Sequence, residues 1–128
     1  MKLLVTGGLG FIGSNFILKL LRENNDFDII NIDAELFGAD HKNLHEIKNS
    51  DKYHFEKGNI SNKKFMEEQI TKCDVVINFA AESFVDRSIS DANPFLVSNI
   101  RGAFTILDIV TKQKKRMIQI STDEVFGS

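Results

Sequence analysis

The segment Thr6-Gly7-Gly8-Leu9-Gly10-Phe11-Ile12-Gly13 constrains this chain more than any other. It follows a short apolar run, Leu3-Leu4-Val5, and opens into a stretch whose apolar residues recur at helical spacing. Gly7, Gly10 and Gly13 fit G-x-x-G-x-x-G, a close variant of the dinucleotide fingerprint. One glycine permits a tight turn, the next lets backbone approach a pyrophosphate, and the last lets helix and strand pack closely. Backbone amides and the positive end of the helix then hold the phosphates. Glycines also close ordinary strand-to-helix turns, but a strand before and a helix after favour binding.

Asp33 answers a separate question. It ends a second apolar run about 20 residues beyond Gly13, where a carboxylate accepts hydrogen bonds from an adenosine ribose. A turn aspartate after a strand is common, yet that reading does not account for the spacing. Ala34 and Glu35 follow, with no Arg or Lys close by in sequence to neutralise a 2'-phosphate, so NAD is expected rather than NADP.

Runs rich in Ile and Val alternate with helical segments along the whole chain, the pattern of a parallel sheet with crossover helices. Strands are expected near Lys2 to Thr6, Asp28 to Asp33, Tyr53 to Lys57, Asp74 to Ala80 and Met117 to Thr122. Helices are expected near Phe11 to Asn24, Lys42 to Lys48, Lys63 to Thr71 and Pro94 to Lys112. The first, second, fourth and fifth strands read as nearly continuous apolar runs, as when helices cover both faces of a sheet, whereas Tyr53 to Lys57 alternates like an edge. The fold class is α/β, a Rossmann-type doubly wound parallel sheet truncated after its fifth strand. Residues 1–128 are expected to form one incomplete NAD-binding domain, without a substrate domain. The exposed last strand would leave a sheet edge prone to pairing.

The 128 residues carry 16 Lys and Arg against 18 Asp and Glu, and a net charge of -2 gives no general attraction for nucleic acid or anionic membrane. The apolar run at the N-terminus stops at Gly7, too short for a signal h-region or a spanning helix, which suggests a cytoplasmic protein. Cys73 is the single cysteine, so an internal disulfide is excluded, and a buried thiol is expected. The run Lys112-Gln113-Lys114-Lys115-Arg116 reads as cations at a helix C-terminus rather than a basic patch.

Three further segments narrow the reading: Asn78-Phe-Ala-Ala-Glu-Ser-Phe-Val-Asp-Arg-Ser-Ile89, Ser98-Asn-Ile-Arg-Gly102 and Ser121-Thr-Asp-Glu-Val-Phe-Gly127. Together with the glycine spacing, which is that of the extended short-chain dehydrogenase/reductase group, they resemble the dTDP-glucose 4,6-dehydratases along essentially the whole chain. The resemblance implies that Phe11, Ile12, Asp33, Ala34, Glu35 and Leu36 line the adenosine and pyrophosphate. It also implies that Asn59 and Ile60 meet the adenine, and that Phe79, Ala80, Ala81 and Ser98 meet the rest of NAD. Ser83 and Thr122 would touch a nucleotide-sugar substrate, and the full-length enzyme would be a homodimer. In that family hydride leaves sugar C4, water is eliminated across C5 and C6, and hydride returns to C6.

Elimination needs a base for the C5 proton and an acid for the departing C6 hydroxyl, and two carboxyl groups in unlike environments can hold those opposite states. Glu124 is assigned as base and Asp123 as acid, with Thr122 hydrogen-bonding the C4 oxygen. Strand alternation would turn Asp123 away from its two neighbours, so irregular backbone is expected there. Without the other motifs, the acidic pair would read as a turn cap.

The chain departs from the family at Phe84, where His is usual, at Phe126, often Tyr, at Asn59, commonly Asp, and over residues 34–39. The catalytic Tyr-x-x-x-Lys pair of the group is not among the residues after the fifth strand. Tyr53 and Lys57 match that spacing, but in a strand they lie about 13 Å apart rather than roughly 6 Å. His41 and His45 have no third ligand placed nearby, so no metal site is expected. Asp86 and Arg87 read as a surface ion pair. Two alternatives stand beside an NAD-dependent dehydratase whose 128-residue part alone is inactive. One is a related nucleotide-sugar epimerase or decarboxylase, against which the Thr-Asp-Glu triplet argues, and the other is a non-catalytic NAD-binding module.

Overall fold

The alternating runs form five parallel strands joined by crossovers in the computed structural model, which describes residues 1–24, 26–81, 89, 91–93, 96–122 and 125, with the backbone alone at 98. The strands β1 (Lys2–Thr6), β2 (Asp28–Asp33), β3 (Tyr53–Lys57), β4 (Val75–Asn78) and β5 (Arg116–Gln119) lie in the order β3-β2-β1-β4-β5. Three helices, α1 (Phe11–Glu23), α2 (Lys63–Thr71) and α3 (Ala103–Lys112), supply most of the crossovers. This is a Rossmann-type doubly wound sheet. The chain moves outward from β1 to β2 and β3, then returns to place β4 on the other side of β1. That reversal opens a crevice at the carboxyl ends of β1 and β4.

Alternation within each strand sends side chains to two cores. Leu4, Ile30, Ile32 and Val76 face α2 and α3, where they meet Met66, Ile70, Ile106 and Ile109. Val5 and Ile29 face the opposite side, where Leu9, Ile17 and Leu44 close over them. Burying apolar side chains on both faces fixes register, because a one-residue slip would exchange the two sets.

Four expectations are corrected. The segment read as a helix over Lys42 to Lys48 is a 3-10 helix, His41–Ile47, kinked at Leu44 (φ -116°, ψ 19°). Burial of Leu44 and a bond from Asn43 Nδ2 to Leu9 O (3.0 Å) tie this short segment to the core and outweigh regular geometry. The long helix read from Pro94 opens, in its described part, as a π-helical turn (Leu96–Gly102) before α3. A Cβ at Gly102 would come 2.4 Å from Ile60 Cδ1, so glycine there allows the close approach. Strand β4 stops at Asn78 rather than Ala80, because the Asn78 side chain takes the Ala80 amide (3.2 Å). Strand β5 is shorter than read and is not covered on both faces. Met117 packs under α3, whereas Ile118 is 51% exposed, since among the described residues the helical elements on the opposite face lie over β1 to β3.

Candidate functional site

Gly7, Gly8 and Gly13 each answer to a close neighbour. Gly7 has φ +72°, and a Cβ there would lie 2.7 Å from the Ala80 backbone, so the turn and the end of β4 touch directly. A Cβ at Gly13 would meet Gly7 O at 2.5 Å, and one at Gly8 would meet Asn31 Oδ1 at 2.2 Å. Gly10 is the contrast: its Cβ would find only Gly7 O, at 3.4 Å. Protein packing does not demand glycine at position 10, but a ligand approaching from the open side would.

Gly10 is also the N-cap of α1, and no side chain caps that helix or places an acid in its first turn. First-turn amides without a side-chain cap, at the positive end of a helix, suit a phosphate. Phe11 (81% exposed) and Ile12 (64%) flank that end and line the pocket in front of it. Open space before Gly10 and an uncapped helix end fit the pyrophosphate of a dinucleotide.

Polar side chains beneath the turn hold it in place. Asn31, fully buried on β2, accepts from Gly8 N (3.1 Å) and donates to the Tyr53 hydroxyl (3.0 Å). Thr6 Oγ1 donates to Asn78 Oδ1, and Asn78 Nδ2 donates to Gln119 Oε1 (2.8 Å). Sequence reasoning found none of these supports. The only signals were a polar residue inside each apolar run and a second glycine beside Gly7.

Asp33 projects from the end of β2. Its Oδ2 accepts from Leu9 N (3.1 Å) and its Oδ1 from Glu35 N (2.8 Å). Burial pushes its pKa up, and the two amides offset part of that rise. Each oxygen keeps a second lone pair for a ribose hydroxyl.

A pocket of about 520 Å³ lies over the crevice. It brings together Gly7, Gly10, Phe11, Ile12, Gly13, Asp33, Ala34, Leu36, Asn59, Ile60, Phe79, Ala80, Ala81 and Thr122 from the expected site. Phe37, Gly38, Ala39, Gly58, Ile120 and Ser121 also line it, and sequence reasoning did not single them out. Ser98 contributes backbone to the π-helical turn. Ser83, Asp123 and Glu124 lie outside the described residues, as do Phe84, Asp86, Arg87 and Phe126.

Glu35 is turned elsewhere. Its backbone is left-handed (φ +57°), its Oε1 meets His41 Nε2, and its Oε2 meets Lys57 Nζ at 2.9 Å. These two partners hold its carboxyl below the usual range. The His41 ring stands edge-on to Phe55 at 4.8 Å. Sequence proximity gave Asp33 no cation, but in-register pairing of β2 with β3 sets Lys57 opposite Asp33. Tyr53 and Lys57 occupy opposite ends of β3, away from any shared helical turn.

A family model described as GDP-mannose 4,6 dehydratase matches residues 4–128. The chain belongs to this family. Beside this GDP-mannose 4,6 dehydratase family member stands a low-salt glycan biosynthesis protein of Haloferax volcanii, 42% identical over 128 residues that cover 99% of this chain and 41% of that protein. A dTDP-glucose 4,6-dehydratase of Mycobacterium tuberculosis is 39% identical over 127 residues, 99% of this chain and 38% of its own length. The dTDP-glucose 4,6-dehydratase of Streptomyces venezuelae, solved with NAD and TYD bound, superposes with a TM-score of 0.94 at 36% identity, over 100% of this chain and 41% of that one. The chain spans about two fifths of the length of these relatives.

Proposed function

We propose that this chain is the NAD-binding part of a dTDP-glucose 4,6-dehydratase. The observation that carries the reading is the open space at Gly10 before the uncapped end of α1, with Asp33 in the same pocket. The amides of the α1 turn would hold the pyrophosphate, Asp33 the adenosine ribose, and Asn59 and Ile60 the adenine. Phe79, Ala80, Ala81 and Ser98 would flank the nicotinamide half. When bound, NAD supplies a hydride acceptor that is regenerated within the cycle.

Thr122 lines the same pocket from the chain beyond β5, and it would hydrogen-bond the sugar's C4 oxygen. Glu124 would take the C5 proton and Asp123 would protonate the departing C6 hydroxyl, while Ser83 would touch the nucleotide sugar. The 128 residues then form a nucleotide-binding domain inactive by itself, with the sugar bound by parts that its relatives carry in their remaining length. The whole protein would be a cytoplasmic homodimer. Exposed Leu96, Ile100, Phe104 and Leu107, along and beside α3, support a self-association surface. Among the described residues, no helix is long and apolar enough to cross a membrane.

Calorimetry tests the binding: NAD should give saturable heat with this chain, and none would overturn the dinucleotide reading. Assay of the whole protein with dTDP-glucose and UDP-sugars tests the chemistry. A 4-keto-6-deoxy product from dTDP-glucose is expected, and an epimerised or decarboxylated product would replace the dehydratase assignment.

A further inference from the structure

Glu35 lies two residues beyond Asp33, whose carboxylate accepts its amide, yet its side chain does not line the pocket. It gathers instead two side chains, the Lys57 ammonium and the His41 imidazole, that the fold brings to the end of β2. Lys57 arrives through the pairing of β3 with β2, and His41 through the start of the 3-10 helix. One carboxylate oxygen takes each partner, so both are engaged at once. Lys57 is the in-register partner of Asp33 across β2 and β3, which places this cluster beside the residue proposed to read the ribose. The left-handed backbone at Glu35 would sit more easily with glycine or asparagine, so a glutamate there points to a use for its side chain.

The chemistry of such a cluster is definite. A 2'-phosphate on the adenosine ribose is recognised by nearby cations through charge-assisted hydrogen bonds. Lys57 stands opposite Asp33 and His41 shares its carboxylate partner, and neither lines the pocket while Glu35 holds it. We propose that Glu35 is a specificity-determining residue, which withholds Lys57 and His41 from a 2'-phosphate and so favours NAD over NADP. The inference rests on the dinucleotide reading of the pocket. Asp33 adds its own repulsion of a 2'-phosphate, so loss of Glu35 narrows the preference without reversing it.

Calorimetric titration of the protein with NAD and NADP separately gives the test. Glu35→Gln keeps the size of the side chain and removes its charge, and Glu35→Asn provides a second variant suited to the left-handed backbone. Either should tighten NADP binding on the order of tenfold and change NAD binding by less than about twofold. Adding Lys57→Met and His41→Asn to Glu35→Gln should remove the gain. Unchanged NADP affinity in both Glu35 variants while NAD still binds, or a gain that survives loss of both Lys57 and His41, would overturn the proposal. Failure of the unsubstituted protein to bind NAD is a different result, and it would remove the dinucleotide reading on which the proposal stands.

Discussion

The carbonyl oxygen of Gly7 lies 2.5 Å from the point that a Cβ on Gly13 would occupy, so the turn and the first helix meet backbone to backbone. Gly13→Ala should therefore open the turn. We expect a loss of about 1–3 kcal/mol in urea unfolding, together with loss of NAD heat in calorimetry.

Gly10→Ala separates ligand contact from folding. Its Cβ has room within the protein, so stability should change by less than about 1 kcal/mol, while NAD affinity falls by at least about tenfold. An alanine variant with undiminished affinity would mean that no phosphate approaches the turn at this point.

Asn31 supports the turn from below. Asn31→Leu leaves the Gly8 amide, buried behind it, without its acceptor, which costs about 1–3 kcal/mol. Tyr53→Phe removes only the hydroxyl partner of the same side chain and should cost about 1 kcal/mol or less. Equal effects in denaturant titrations would contradict this division of labour.

Affinity for NAD should depend on pH through Asp33. Burial raises its pKa, so it takes up a proton at a higher pH than an ordinary aspartate, and the protonated form loses acceptor capacity for ribose hydroxyls. Affinity should fall as pH drops through that raised value, read by calorimetry from neutral to about pH 4. The same shift has the opposite sign for folding. Its contribution to stability is fully present below the unfolded-state pKa and is lost as pH rises through the folded value.

The Cys73 thiol is 2% exposed and pushed up to about 11, mainly by burial, so it is both hidden and protonated at neutral pH. A thiol reagent such as Ellman's should modify it only as the protein unfolds. Rapid modification of the folded protein would show that the α2 to β4 junction opens on its own.

What could be read in advance follows from which interactions are local. The bounds of β1, β2 and β3 were legible because each apolar or alternating run is closed by a residue that breaks it, such as Gly7 or Gly58. The meeting of the glycine turn and Asp33 in one pocket was legible because their spacing sets both at the same ends of neighbouring strands. The 3-10 geometry at His41–Ile47 was not, because it answers to Leu44 and Asn43 meeting a distant part of the chain. Nor was the exposure of Ile118, since a continuous apolar run carries no mark of which neighbours will cover it. The hold of Glu35 on Lys57 depends on strand pairing, which joins residues far apart in sequence.

The bond from Leu9 N to Asp33 Oδ2 ties the glycine turn to the end of β2. On the proposed reading, one carboxylate would both latch the loop that holds phosphate and select the sugar next to it. Retuning the cofactor by replacing Asp33 would slacken the latch at the same stroke. Evolution or design is therefore better served by altering its surroundings, where charge can be rearranged while the loop stays fastened.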